Sequence, residues 1–192
     1  TSGPDDGRIY VLEQKGKLYS FDESDTTGSE LNLVVDLGES FQATAAYGFT
    51  FDPDYENNHF VYLTFIDGSN LEDGTRVARF TMAAGDAPKI DPASEVEIIR
   101  WRSGGHNGGC LKFGPDGMLY ISTGDAAPPS PPDGRNTGQG VDDLLSCILR
   151  LDVTATSKGS PYKIPEDNPF VDLENARHEI FAFGFRNPWR MS

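Results

Sequence analysis

A histidine surrounded by glycines is the segment with the clearest potential for chemistry. Residues 103–109 read Ser-Gly-Gly-His-Asn-Gly-Gly, so that His106 lies among four glycines just before a predicted strand. Because glycine has no side chain, the backbone can bend sharply there and a ligand can approach closely. An imidazole ordinarily exchanges its proton near neutral pH, which suits a general base. The residues alone equally allow a turn in which the histidine bonds to the backbone.

Three other polar residues stand where predicted strands end. Arg186 and Asn187 follow a strand that ends at Phe185, and Asn187 precedes a proline, which favours an extended or turn conformation. The guanidinium of Arg186 has a fixed fork of donors that suits a carboxylate or a quinone oxygen. The alternative is a surface ion pair with one of the many acidic residues. Asp125 ends a Ser-Thr-Gly-Asp segment, where it could orient a histidine or cap the turn.

Alternating acids near residue 52 resemble calcium ligands. Asp52, Asp54 and Glu56 have this spacing, but Asn57 occupies the sixth position of the loop and Leu63 the twelfth. An EF-hand requires glycine and glutamate at those two positions. The segment is therefore predicted to be a plain turn.

The composition narrows the class of protein. The chain has 192 residues, a formal net charge of −14 and a sequence pI near 4.4. Such a charge repels nucleic acid and indicates a soluble protein with no nucleic-acid partner. No run of apolar residues approaches the length of a membrane span. The two cysteines, Cys110 and Cys147, can form at most one disulfide.

The hydrophobic pattern is that of strands, and no segment has a helical period over three turns. Strands are predicted at residues 9–12, 18–21, 31–37, 60–65, 77–82, 119–123, 148–153 and 180–185. Phe49–Asp54 and Leu111–Asp116 form an internal repeat of a strand and a Pro-Asp turn, and Phe51 and Phe113 are 62 positions apart. A strand-rich unit that recurs predicts the blades of a propeller or a solenoid, with a small open sandwich as the alternative. Residues 126–140, rich in Pro, Gly and Asp, are expected to form a loop on the propeller face.

Six motifs together resemble the glucose/sorbosone dehydrogenase family. They occur in the family's order at residues 48–55, 106–117, 119–125, 144–152, 162–170 and 179–188. This family includes soluble aldose sugar dehydrogenases that use pyrroloquinoline quinone (PQQ). The resemblance implies an all-β, six-bladed β-propeller of which this chain holds about the first three blades. Residues 1–192 are accordingly expected to be the N-terminal half of a single domain, truncated at its C-terminus.

The resemblance also implies an activity and roles for particular residues. The expected reaction is the PQQ-dependent oxidation of an aldose at its C1 hydroxyl, with His106 as the base. Arg186 and Asn187 match residues that contact the cofactor, and Arg186 also stabilises the reduced quinone. Asp125 matches an acid near the histidine and is placed with the cofactor-binding residues. Calcium is an expected cofactor, and its ligands are expected to come from later blades. The resemblance further implies a cytochrome or a dye as electron acceptor and a periplasmic or extracellular location.

The sequence departs from the family pattern at three places. Gly105 stands where well-studied glucose oxidisers have an Asp, Ala43 where they have a Gln, and Trp189 where they have another Gln. The alternatives are therefore a degenerate propeller that binds a carbohydrate or a protein without redox activity, and a purely structural extracellular module. Cys110 and Cys147 would begin strands separated by one strand, about 10 Å apart, so two free thiols are predicted.

Overall fold

The computed structural model describes residues 4, 6–68, 71–130, 133–154 and 159–192. These residues form three antiparallel sheets joined in chain order, with two single-turn α-helices and one 3-10 turn (Thr137–Gln139) between strands. The all-β fold predicted from the hydrophobic pattern is confirmed.

The first sheet has three strands in the order β1-β2-β3. They are β1 (Arg8–Leu12), β2 (Lys17–Asp22) and β3 (Asn32–Asp36). Their side chains alternate between faces, and Leu18 and Ser20 are completely buried. On β1, Ile9 and Val11 are exposed, so this apolar edge is left open to solvent.

The second and third sheets each have four strands. The second sheet contains β4 (Ala45–Phe51), β5 (Phe60–Ile66), β6 (Thr75–Ala83) and β7 (Lys89–Trp101) in that order. The third contains β8 (Gly108–Phe113), β9 (Leu119–Thr123), β10 (Cys147–Leu151) and β11 (Ile180–Phe183). The repeated segments end β4 and β8, the first strands of these two sheets. The repeat is therefore a blade, as the sequence predicted.

Two short helices were not expected from the sequence. They are α1 (Leu37–Phe41) and α2 (Tyr55–Asn58). One turn is too short to show a helical period, so local bonds define these helices instead. The carboxyl group of Asp36 accepts a hydrogen bond from the Glu39 N–H and caps the start of α1.

The core consists of two apolar layers between consecutive sheets. Leu18, Val35, Phe65 and Phe80 belong to the layer shared by the first and second sheets. The layer between the second and third sheets includes Tyr62, Leu119 and Leu149. At the inner edge, a Cβ added to Gly48 on β4 would lie 2.2 Å from the Gly109 carbonyl oxygen on β8. The first strands of neighbouring sheets thus meet backbone to backbone, as the inner strands of propeller blades do.

Antiparallel pairing brings alternate connections to the same end of the sheets. The connections that follow β1, β3, β5, β7 and β9, and the segment after β11, all lie at one end, here named the upper face. Its described residues are 13–16, 37–44, 67–68, 71–74, 102–107, 124–130, 133–146 and 184–192. No helix among the described residues is long and apolar enough to cross a membrane.

The cysteines have the predicted state, and the acidic segment forms the predicted turn as far as Asp54, after which Glu56 lies in α2. Cys110 and Cys147 are both buried and both free thiols. In the turn after β4, the Asp52 carboxyl group accepts hydrogen bonds from the Asp54 N–H, the Asn58 amide and the Tyr62 hydroxyl. Its oxygens thus bond to the protein itself, in keeping with a plain turn.

Candidate active site

His106 and Asp125 meet on the upper face, although they are 19 residues apart in the chain. His106 ends the connection between β7 and β8, and Asp125 follows β9. The Nδ1 atom of His106 lies 2.8 Å from Oδ1 of Asp125, and the two residues are 7% and 1% exposed, respectively. The third sheet thereby holds the ring of the predicted base.

The carboxyl group of Asp125 is fixed from several sides. Its Oδ1 also accepts a hydrogen bond from the Ala127 N–H at 2.8 Å, and its Oδ2 accepts one from the Asp133 N–H at 3.3 Å. Two backbone N–H groups are directed at the carboxyl, which therefore acts as an acceptor, and a neutral His106 donates to it through the proton on Nδ1. The Nε2 atom then has a free lone pair, and it bonds to none of the described residues. A nitrogen in this state can accept a proton from a bound hydroxyl group.

Gly105 packs directly against the segment that follows Asp125. A Cβ at Gly105 would lie 2.4 Å from the Ala127 carbonyl oxygen, closer than any real contact. An Asp at this position, as in well-studied glucose oxidisers, would require residues 126–128 to move. The glycine is therefore part of the close packing that supports the His106 loop.

Arg186 and Asn187 lie beside this pair. The Asp125 N–H donates a hydrogen bond to the Arg186 carbonyl at 3.0 Å, which joins the segment after β11 to the site. The exposed Arg186 guanidinium donates to the Pro129 carbonyl at 3.0 Å and forms no ion pair with the described residues. The half-buried Asn187 accepts a hydrogen bond from the Gly108 N–H at 3.2 Å. All four residues singled out from the sequence thus share the upper face.

Three further residues around His106 were missed by sequence reasoning. The buried amide of Asn107 bonds to the backbone of Gly104 and approaches the hydroxyl groups of Thr75 and Tyr47. An asparagine inside a glycine-rich segment could have suggested a side chain that bonds to its own loop. Nothing in the sequence indicated that residues of β4 and β6 would reach it.

A cavity with a volume of about 1130 Å³ runs along the inner strands β1, β4 and β8. Tyr47 and Gly108 line its wall, whereas His106 does not. We place the site at His106 because the hydrogen bonds converge there. Among the described residues, no group of three or more His, Cys, Asp or Glu side chains is arranged to hold a metal ion.

Comparison with known proteins assigns the family. The sequence profile described as Glucose / Sorbosone dehydrogenase matches residues 2–192. The chain belongs to this family. The crystal structure of the soluble aldose sugar dehydrogenase from Escherichia coli in the apo form superposes with a TM-score of 0.67 and 26% identity, covering 96% of this chain and 50% of that chain. The three sheets are therefore blades of a β-propeller, as the resemblance implied.

Curated relatives of this family have different names and different lengths. The HIPL2 protein of Arabidopsis thaliana is 38% identical over 144 residues, 63% of this chain and 20% of the relative. The Hedgehog-interacting protein of Homo sapiens is 27% identical over 98% of this chain and 29% of its own length. Aldose sugar dehydrogenase YliI of Escherichia coli is 27% identical over 98% of this chain and 48% of its own length. Quinoprotein glucose dehydrogenase B of Acinetobacter calcoaceticus is 24% identical over 97% of this chain and 41% of its own length. The chain spans at most about half the length of these relatives.

Proposed function

We propose that residues 1–192 are the N-terminal half of a six-bladed propeller domain that oxidises an aldose sugar at its C1 hydroxyl with PQQ as cofactor. The observation that carries this proposal is the buried His106–Asp125 pair with Nε2 of the imidazole left free for a substrate proton. The aldose sugar dehydrogenase and the quinoprotein glucose dehydrogenase among the relatives support it.

The residues beside the pair fit a quinone cofactor. PQQ carries carboxylates and quinone oxygens, all of which accept hydrogen bonds. Arg186 is exposed, it has no carboxylate partner among the described residues, and its fork of donors matches such oxygens. Asn187 adds an amide next to it. PQQ, when bound, supplies the acceptor for the hydride that leaves C1 of the sugar.

In this proposal the chain supplies the general base, His106, whose ring is oriented by Asp125. The Nε2 atom of His106 takes the proton of the C1 hydroxyl as the C1–H bond breaks, and the sugar becomes a lactone because it loses this proton together with a hydride, which carries the two electrons. Asp125 keeps its hydrogen bond to Nδ1 throughout, which orients the ring and stabilises the imidazolium that forms. The guanidinium of Arg186 offsets negative charge that develops on the acceptor side.

The remaining partners belong to the same proposal. The electrons then pass to a cytochrome or, in an assay, to a dye. Calcium is held by ligands in blades beyond this chain. We infer an exported protein, periplasmic or extracellular, in keeping with the oxidation of free sugars.

A second candidate is a propeller that binds a carbohydrate or a protein without redox chemistry. It is favoured by the relative named Hedgehog-interacting protein, which covers 98% of this chain. In this case His106 and Asp125 would serve only to hold the loops of a binding surface.

The test uses the polypeptide that carries this chain together with its remaining blades. It is supplied with PQQ and calcium, and dye reduction is followed with a panel of aldoses. We expect turnover in the wild type and its loss in His106→Ala, with His178→Ala as a control because His178 lies on the connection at the opposite face. Absence of both turnover and PQQ binding would overturn the dehydrogenase and leave the binding module.

A further inference from the structure

The side chain of Asn107 closes the His106 loop on itself. Asn107 is 5% exposed. Its Oδ1 accepts a hydrogen bond from the Gly104 N–H at 2.8 Å, and its Nδ2 donates to the Gly104 carbonyl at 2.8 Å. The two bonds define the orientation of the amide, because exchanging its oxygen and nitrogen would set donor against donor and acceptor against acceptor.

The same amide ties the loop to the second sheet. The hydroxyl group of Thr75, completely buried at the start of β6, donates to Oδ1 at 3.4 Å. The Nδ2 atom donates to the hydroxyl oxygen of Tyr47 on β4, also at 3.4 Å. These bonds are long and individually weak, but they come from two strands of one sheet, on either side of β5. The Ser103 N–H donates to the Leu71 carbonyl at 2.8 Å and anchors the other end of the loop.

The imidazole ring of His106 forms one hydrogen bond, from Nδ1 to Asp125. A single bond does not fix the ring, so Nε2 moves whenever the backbone of His106 moves. A general base must stay within about 0.5 Å of its productive position. The position of Nε2 therefore depends on what fixes the backbone of residues 104–107, which on the side of the third sheet is the Ala126 N–H, donating to the His106 carbonyl at 2.9 Å.

We propose that Asn107 is the positioning residue for His106. It joins the loop to the second sheet, while Asp125 joins the imidazole to the third, so that the base is held between two blades. The catalytic meaning of this inference rests on the proposed function, but the positioning itself does not.

The variant Asn107→Ala is paired with a matched control, Asn168→Ala. Asn168 is 3% exposed and uses its amide in a similar way, donating to the carbonyls of Arg150 and His178 and accepting from the Arg150 guanidinium. It lies in the connection between β10 and β11, at the end opposite the upper face. Asn107→Asp is a second variant, which keeps the acceptor for the Gly104 N–H but sets a buried carboxylate oxygen against the Gly104 carbonyl, so it should disturb the loop at least as much as Asn107→Ala.

The first readout needs no cofactor. Nitrogen-15 spectra of the histidine-labelled protein report the state of each ring, and the signal that is missing in His106→Gln is that of His106. We expect a single Nδ1–H tautomer for His106 in the wild type and averaged tautomer signals in Asn107→Ala. Hydrogen exchange of the amides of residues 103–109 should become about tenfold faster in that variant, and at least as fast in Asn107→Asp. Asn168→Ala should leave both readouts as in the wild type.

The second readout is kinetic and uses the holoenzyme. Asn107→Ala should lower kcat about tenfold and change KM by less than about twofold, since a displaced base affects the chemical step. Unchanged His106 signals and exchange rates in Asn107→Ala, or equal changes in Asn168→Ala, would overturn the positioning role even if the wild type oxidises sugars. If no sugar is oxidised, the spectra still decide the positioning, and only the proposed function falls.

Discussion

Replacing Asp125 by Asn or by Ala separates the two tasks of its carboxyl group. Oδ1 accepts hydrogen bonds from His106 Nδ1 and from the Ala127 N–H, both at 2.8 Å, whereas Oδ2 accepts a single bond from the Asp133 N–H at 3.3 Å. An asparagine whose oxygen takes the place of Oδ1 keeps the two short bonds. Its NH₂ group then faces the Asp133 N–H, and that bond is lost.

The expected loss of stability in each variant follows from the number of these three hydrogen bonds that it removes. Asp125→Asn removes one long hydrogen bond and should lower the free energy of unfolding by about 1 kcal/mol. Asp125→Ala leaves three N–H donors without an acceptor where the carboxyl is 1% exposed. This change should cost about 3–5 kcal/mol. Urea unfolding followed by the fluorescence of the two tryptophans measures both values.

The effect of Asp125→Asn on kcat has a different physical cause from its effect on stability. A charge-assisted hydrogen bond is about twice as strong as a neutral one, so Asp125→Asn should weaken the stabilisation of the imidazolium by about 1–2 kcal/mol. This corresponds to a kcat about 5- to 30-fold lower in the dye-reduction assay. Asp125→Ala should lower kcat further, because the imidazole of His106 also loses the hydrogen bond that orients it.

The control is Asp142→Asn, which changes an exposed acid in the same connection and should leave both stability and kcat near those of the wild type. Equal loss of stability in the asparagine and alanine variants would refute the assignment of the two short bonds to one oxygen. An unchanged kcat in Asp125→Asn would refute the role of the carboxyl in stabilising the charged ring.

Three further predictions concern stability and thiol chemistry. Arg150→Met should lower the free energy of unfolding by about 2 kcal/mol, since a buried guanidinium that bonds to several partners is lost. The hydrogen bond from Arg150 lowers the pKa of Asp167, so this penalty should be fully present above pH ~4 and shrink as the pH falls through the depressed range, as urea titrations at several pH values can check. Burial raises the pKa of Asp143, which weakens the native state as the pH rises through that raised value. Asp143→Asn should therefore stabilise the protein by about 0.5 kcal/mol at pH ~7, after allowance for screening by water, and the gain should vanish near pH ~4. Cys110 and Cys147 should both titrate with dithiobis(nitrobenzoate) in denaturant, so that the variant with both replaced by alanine gives two equivalents fewer than the wild type. Native Cys147 should react slowly because burial raises its pKa to about 12. A difference of fewer than two equivalents would contradict the free thiols.

Local patterns explain how much of the fold could be predicted. Side chains that alternate between faces identify a strand without knowledge of its partner, so most strands were found from the sequence. The strand β7 (Lys89–Trp101) was missed, because Pro92 and a polar run interrupt its alternation. Its pairing with β6 has two register shifts, which no periodicity can anticipate.

The candidate site likewise combines features that are visible in the local sequence with contacts that are not. A histidine among glycines was visible in the sequence because the absence of side chains at Gly105 and its neighbours is itself a local signal. The sequence also contained Asp125 and Asn107, but not their partners. His106 meets an acid 19 residues away, and Asn107 meets a threonine 32 residues away. Such pairs depend on how one blade packs against the next, which is set by the fit of whole sheets and not by spacing along the chain. The sequence alone therefore determined that strands, turns and a candidate base exist, and only the tertiary structure decided which groups hold that base.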